Sequence, residues 1–331
     1  MEILPGRRIH RHKWCFCLRV PGHFRHSQSN YVRFLGRLIR ASFVLLLVGF
    51  APLGRASITV DVTSPTTNWT PVTYANNNAD PSNDQQTGAS EGDVVGNSTH
   101  PSAYTTFGDA GTPSLTDGTI GFRVRVGADT NPAGFKTAMF VGIDANADGK
   151  IDLFVGVNNS GSSDTVGIYS PGAGLNISPN TTTIVSTPLI SYTPTAGTNY
   201  HWTAVNTTID PTVGTATDID GGGQNDYFLT YSVPFNDVVT ELAAEGITGV
   251  TQNSTFSYVI ATATQANSLN QDINGVGKTF DPNATWSSLG VISDPLSASG
   301  VPVPEAETTL GLVGLLTAVI SGRWLRRARK S

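Results

Sequence analysis

Apolar and polar side chains alternate with a period of two over most of residues 118–292. Between Ile120 and Val126, four apolar side chains share one face of a strand, and Arg123 and Arg125 lie on the other face, which we expect to be exposed to solvent. The same alternation recurs in five further segments, residues 139–143, 151–157, 200–204, 227–233 and 256–260. Because runs rich in Gly, Asn, Pro and Ser separate these segments, the pattern predicts an all-β fold, an antiparallel β-sandwich or jelly roll.

One segment has the spacing of a helix instead. After Pro234, apolar residues from Phe235 to Leu242 recur at intervals of three and four, and Gly246 is placed to end the helix. We therefore expect one short helix that closes one end of the sandwich.

The charge of the chain is unevenly distributed. Residues 57–303 contain five Lys and Arg and 22 Asp and Glu, a net charge of −17. This balance argues strongly against nucleic acid as a partner, because phosphate binding needs a basic surface. This region has no cysteine, so outside the cell its stability must come from core burial and bound ions.

The N-terminal region has the layout of a signal peptide. The run ASFVLLLVGFA, residues 41–51, follows several arginines and precedes small residues that fit a cleavage site between Ala56 and Ser57. The run is too short to cross a bilayer. We assign residues 1–56 to a signal peptide with an over-long N-region, which a translation start downstream of Met1 would explain.

The C-terminal region combines a short linker, an apolar segment and a basic end. Pro304 and Glu305 precede the apolar residues 308–322, and five Lys and Arg follow. The basic end is expected to stay in the cytoplasm. Fifteen residues are short for a permanent span, so transient membrane anchoring is expected.

This tail, residues 304–331, resembles the PEP-CTERM sorting domain of exported bacterial proteins. Pro304 and Glu305 match the first two positions of the sorting motif, and Ala306 stands where the motif has a second proline. The resemblance implies an exosortase-type processing enzyme as a partner. It also implies a location at the cell surface or in the extracellular matrix, in association with extracellular polysaccharide of a biofilm.

The clearest chemical motif is a loop between two predicted strands. Oxygen-bearing residues occupy positions 1, 3, 5 and 9 of this loop and Gly149 occupies position 6, which is the spacing of a calcium loop. The expected ligands are the side chains of Asp144, Asn146, Asp148 and Asp152 and the carbonyl of Lys150. Position 12 is Val155 instead of Glu, so we expect a strand-loop-strand calcium site and not an EF-hand. The alternative is an Asx-rich hairpin without metal.

Two further loops are rich in oxygen ligands. Asp218, Asp220 and Asp226 lie within nine residues and are weaker calcium candidates. Residues 267–275 contain one carboxylate and are expected to make turn hydrogen bonds. The segments that hold these three loops resemble a recurring core of exported PEP-CTERM proteins without an established activity, which agrees with an all-β fold carrying a calcium loop.

The domain organisation follows from these patterns. We expect an irregular region at residues 57–117, the sandwich at 118–292 and a linker at 293–303, between the signal peptide and the sorting anchor.

The favoured function is a structural or adhesive protein of the cell surface or matrix. A carbohydrate-binding module is the alternative, with Tyr200, Trp202 and Trp286 stacking on sugar rings. A secreted glycoside-active enzyme, with Asp226 paired to Glu241 or Asp152, is a third and less favoured class. Because no common hydrolase or nucleotide-binding motif occurs, we predict that the protein is not an enzyme.

Overall fold

The computed structural model describes residues 59–75, 79–87, 89–129 and 134–299. The predicted signal peptide with its cleavage site at Ala56 and Ser57, and the sorting segment with Pro304 and Glu305, lie outside the described residues. No helix within the described ranges is long and apolar enough to cross a membrane.

The described residues form twelve strands. They are β1 Thr70–Pro71, β2 Ala103–Gly108, β3 Thr119–Val126, β4 Ala138–Asp144, β5 Leu153–Asn158, β6 Thr165–Tyr169, β7 Ile190–Tyr192, β8 Tyr200–Ala204, β9 Tyr227–Pro234, β10 Thr255–Ala263, β11 Asp272–Ile273 and β12 Leu296–Ser297. The first sheet has the order β1-β2-β3-β9-β8, and the second has the order β11-β10-β4-β5-β6-β7 with β12 also paired to β10. Neighbouring strands in both sheets are antiparallel.

The predicted all-β class and the predicted helix are confirmed. All six alternating segments are strands, namely β3, β4, β5, β8, β9 and β10. Helix α1, Phe235–Ala244, follows β9 and buries Phe235, Val238 and Leu242. A single helical turn, α2, Trp286–Leu289, and short 3-10 turns at Thr66–Asn68, Ser90–Gly92 and Pro179–Thr181 complete the elements.

The main core contains side chains from both sheets. Phe122 of β3 and Tyr258 of β10 are in edge-to-face contact, with ring centroids 5.5 Å apart. Val141 of β4, Val155 of β5 and Leu229 of β9 belong to the same fully buried cluster. Two antiparallel sheets that share one core are consistent with an all-β sandwich.

The prediction that Arg123 and Arg125 face solvent is wrong, because both side chains are fully buried. Chain segments before β1 and after β8 cover this outer face of the first sheet with a second apolar cluster. The Arg123 guanidinium lies 4.4 Å from the ring centroid of Trp69. Its Nη2 donates to the carbonyls of Val62 at 3.0 Å and Ser64 at 2.8 Å. Stacking and hydrogen bonds let the cation remain buried.

Residues outside 118–292 also supply strands, which differs from the expected division. β2 lies in the region expected to be irregular, yet it pairs with β3 along its whole length, from Ala103 opposite Val124 to Gly108 opposite Thr119. β12 lies in the expected linker and pairs with β10. The all-β unit therefore begins before residue 118 and continues beyond residue 292.

Candidate metal centre

The loop between β4 and β5 is organised by its own polar side chains. Asp144 is buried, and its Oδ2 accepts a hydrogen bond from the Gly149 amide at 2.9 Å. Asp152 Oδ2 accepts from the Ala145 amide at 2.8 Å, and Asn146 Oδ1 accepts from the Asp148 amide at 2.9 Å. The loop thus has a strand-loop-strand shape held by Asx-type hydrogen bonds.

The carboxylates of this loop do not converge on one point. In the described part of the chain, two groups of three carboxylates have oxygens within 4.8 Å of one another, and Asp144, Asp148 and Asp152 are not one of them. Asp148 Oδ2 instead contacts Lys150 Nζ at 2.9 Å. Burial raises the pKa of Asp152 to about 6, and the nearby Asp144 and Asp148 add to this effect. A calcium ion here would have to replace the Lys150 ammonium as the partner of Asp148.

The loop at residues 218–226 does bring its three carboxylates together. Oxygens of Asp218, Asp220 and Asp226 lie within 4.8 Å of one another. Asp218 already accepts hydrogen bonds from the amides of Gly221 at 2.8 Å and Gly223 at 2.8 Å. Backbone amides thus offset part of the negative charge of Asp218 that a cation would otherwise neutralise.

Asp226 also has a structural role that the spacing did not reveal. Its Oδ2 accepts a hydrogen bond from Arg125 Nε at 2.7 Å, and both side chains are fully buried. Arg125 Nη2 donates to the Ala216 carbonyl at 2.8 Å, and Asp210 Oδ2 lies 4.0 Å from Nη1. Asp226 is therefore the counter-ion of a buried arginine.

The structure contains a further acidic cluster that the sequence patterns did not predict. We use the name buried aspartate cluster for Asp80, Asp84, Asp93 and Asp272. Asp272 begins β11 of the second sheet, whereas the other three precede β2. Oxygens of Asp80, Asp84 and Asp272 lie within 4.8 Å of one another. Sequence spacing gives no signal for this cluster, because Asp272 lies far along the chain from the other three residues.

Backbone hydrogen bonds hold the buried aspartate cluster in place. Asp93 accepts from the amides of Asn83 at 2.8 Å and Asp84 at 3.1 Å. Asp272 Oδ2 accepts from the Val94 amide at 2.6 Å, and Asp80 Oδ1 accepts from the Gly275 amide. The cluster thus connects the segment before β2 to the edge of the second sheet.

The pKa values of these four carboxyls are all raised, by burial and, for all but Asp93, by the negative charges of neighbouring aspartates. Burial, followed by the negative charge of Asp93, raises the pKa of Asp84 to about 7. Burial and neighbouring aspartates raise the pKa values of Asp80 and Asp272 well above the usual range, and burial raises that of Asp93. Four ionised carboxylates at these positions would repel one another at neutral pH.

A cleft of about 350 Å³ opens beside the cluster. Asp84 and Asp272 form part of its wall, together with Asn270, Lys278 and Phe280. The cleft therefore adjoins two members of the buried aspartate cluster.

The remaining candidate residues are not assembled into a site. Trp286, expected to stack on sugars, is fully buried, so that expectation is wrong. Trp202 stacks on Tyr227 with ring centroids 4.8 Å apart. Asp226 and Glu241 stand before and after β9, whose eight residues span roughly 26 Å. The pair is therefore not placed as the two carboxyls of a glycosidase, which lie roughly 5–9.5 Å apart.

Comparisons with protein-family models, with curated proteins and with the solved structures found no match to this chain.

Proposed function

We propose that this chain is an exported structural or adhesive protein of the cell surface or extracellular matrix, with a β-sandwich stabilised by calcium. The observation that carries the proposal is the combination of two antiparallel sheets around one core with flanking segments of the export and sorting type. The separation of Asp226 from Glu241 also favours a non-enzymatic role. An exosortase-type enzyme and extracellular polysaccharide are the proposed partners.

Removal of residues 304–331 tests the proposed sorting. We expect the truncated protein to appear in the medium or periplasm, since no long apolar segment remains after signal cleavage. Replacement of Pro304 and Glu305 by alanine is the matched control, and it should leave an uncleaved, membrane-bound protein. The measurement is immunoblotting of cell fractions. Full-length and truncated proteins that fractionate alike would contradict the proposal.

The β4–β5 loop is the proposed calcium site of the sandwich. We expect Ca²⁺ bound at this loop to stabilise the protein by about 2–3 kcal/mol at 100-fold saturation, and Asp148→Ala to remove most of this loop's contribution. Thermal unfolding in calcium and in EDTA measures both quantities. Lys150→Gln frees Asp148 from its ammonium partner without removing a ligand side chain, so it should preserve the gain. Asp148→Ala with an undiminished calcium response would refute this site.

A carbohydrate-binding module is the second candidate function. The observation that favours it is the cleft beside Asp84, whose wall combines carboxylates, amides and the aromatic ring of Phe280. A pull-down with the host's own polysaccharide separates the two functions. Binding that disappears in Phe280→Ala would favour the carbohydrate-binding role, and surface location without saccharide binding would favour the structural role.

A further inference from the structure

We propose that the buried aspartate cluster binds a divalent cation, with calcium the ion of best fit, and that this ion fastens residues 79–87 and 89–96 to the second sheet. Asp80, Asp84 and Asp272 supply the ligands, and Asp93 positions the turn that carries Asp84. This site goes beyond the proposed function, because none of its residues belongs to the β4–β5 loop.

The separations of the oxygens suit a calcium ion. One oxygen from each of Asp80, Asp84 and Asp272 lies within 4.8 Å of the other two. Three points at such separations have a common centre no more than about 2.8 Å from each, which is close to the 2.3–2.6 Å of calcium–oxygen bonds. Magnesium, at about 2.0–2.1 Å and with strict octahedral geometry, would require a larger contraction.

An independent observation is the set of buried oxygens without a donor. Among the described residues, no N–H group donates to either oxygen of Asp84 or to Oδ2 of Asp80, and all three atoms are buried. The side-chain contact of Asp84 is with Asp93, which is itself acidic. Asp84 and Asp80 are 8% and 4% exposed, respectively. Buried polar atoms in folded proteins are nearly always paired, so these three acceptors call for a positive partner.

Side chains in the described part of the chain do not supply that partner. None of the ion pairs among the described residues includes a member of the buried aspartate cluster. The positive charge of Lys278 offsets only a small part of the raised pKa of Asp84, and Lys278 is exposed and forms no ion pair with Asp84. A bound cation would neutralise the mutual repulsion of the carboxylates.

The surroundings allow an ion to enter and complete its coordination. Asp84 and Asp272 border the cleft of about 350 Å³, so water can fill the positions that three aspartates leave open. All the available ligand atoms are oxygens, which selects a hard cation such as calcium over zinc or copper.

A cation at this position would join parts of the chain that are distant in sequence. Asp93 accepts the Gly127 amide through its carbonyl at 2.9 Å, which connects it to the end of β3 in the first sheet. Asp272 lies in β11 of the second sheet. The ion would therefore couple the two sheets through residues 89–96, which include Asp93.

The proposal is tested by comparing the calcium affinity and stoichiometry of Asp84→Asn with those of the unmodified protein. The protein, expressed from its complete coding sequence, is stripped with EDTA and titrated with Ca²⁺ by calorimetry. We expect Asp84→Asn to lose one bound ion per chain or to bind it at least about tenfold more weakly. Asp109→Asn, which alters an exposed carboxylate after β2, should bind as the unmodified protein does. Unchanged stoichiometry and affinity in Asp84→Asn would overturn the proposal.

Melting curves separate a ligand from a merely structural residue. In EDTA, Asp84→Asn should melt no lower than the unmodified protein, because the substitution removes one of several buried like charges. In calcium, the unmodified protein should melt at a higher temperature than Asp84→Asn. A variant that melts lower by the same amount in both buffers would overturn the proposal.

A measurement on the unmodified protein guards against misfolding of the variant. Amide hydrogen exchange of residues 79–87 and 89–96 should be slower in calcium than in EDTA, and equal rates in these residues would count against the ion. Asp148→Ala should retain this slowing, so failure of the cluster is distinguishable from failure of the β4–β5 loop.

Discussion

Asp226→Asn is expected to destabilise the protein by about 3–5 kcal/mol, because it leaves Arg125 buried without its principal counter-charge. The two side chains are fully buried and 2.7 Å apart, so water cannot replace the lost carboxylate. Asp210 Oδ2, 4.0 Å from Arg125 Nη1, is too distant to replace the lost hydrogen bond. The measurement is the free energy of unfolding in urea at constant calcium concentration.

Asp164→Asn is the matched control for this substitution. It breaks an ion pair with Lys136 at 3.6 Å whose partners are 35% and 43% exposed, and exposed pairs contribute roughly 0–1 kcal/mol. Similar small losses in both variants would mean that Arg125 and Asp226 are more hydrated than their burial indicates.

Trp286→Ala is expected to cost about 3–5 kcal/mol, the range for removal of a large aromatic side chain from a core. Trp286 is fully buried in the cluster on the outer face of the second sheet, with Phe140 and Phe154 in the same cluster. Its Nε1 donates to the Asn176 carbonyl at 3.0 Å, and that carbonyl also accepts from the amide of Ile151 at 3.0 Å. The substitution therefore also weakens the anchor of the β4–β5 loop.

Trp286→Phe retains most of the apolar contact and loses the hydrogen bond. We expect a smaller loss, on the order of 1–2 kcal/mol, by chemical denaturation. A Trp286→Ala variant that keeps full stability and loses saccharide binding would reverse the assignment of this residue from core to ligand contact.

The strands that the sequence predicted are those whose alternation is regular. In β3, β4, β5, β9 and β10, one row of apolar side chains enters the shared core, so the period of two is visible. β2 was missed because Thr105 and Thr106 interrupt its apolar positions. Thr105 is nevertheless fully buried, since its hydroxyl donates to the Gly121 carbonyl at 3.1 Å.

The two buried arginines show a second limit of sequence patterns. Arg123 and Arg125 alternate with apolar residues as solvent-facing residues do, and only the segments that cover the first sheet convert that face into an interior. Side-chain periodicity describes one strand and carries no information about a covering loop.

The candidate sites also differ in whether their residues are close together in the sequence. Spacing predicted a calcium loop, or alternatively an Asx-rich hairpin, from Asp144 to Asp152, and the Asx hydrogen bonds of this loop are local ones that a sequence pattern can indicate. It did not predict that Asp148 turns toward Lys150. The buried aspartate cluster could not be predicted, since it forms only when β11 is paired with β10 in the second sheet.

Surface exposure of the unmodified protein is the most direct test of its proposed role. Intact host cells would be treated with protease, and the released peptides identified by mass spectrometry alongside immunoblots of each cell fraction. The proposal predicts peptides from residues 59–299 in the surface digest and a mature chain that begins at Ser57. A full-length chain confined to the cytosol, with no peptides released from intact cells, would contradict it.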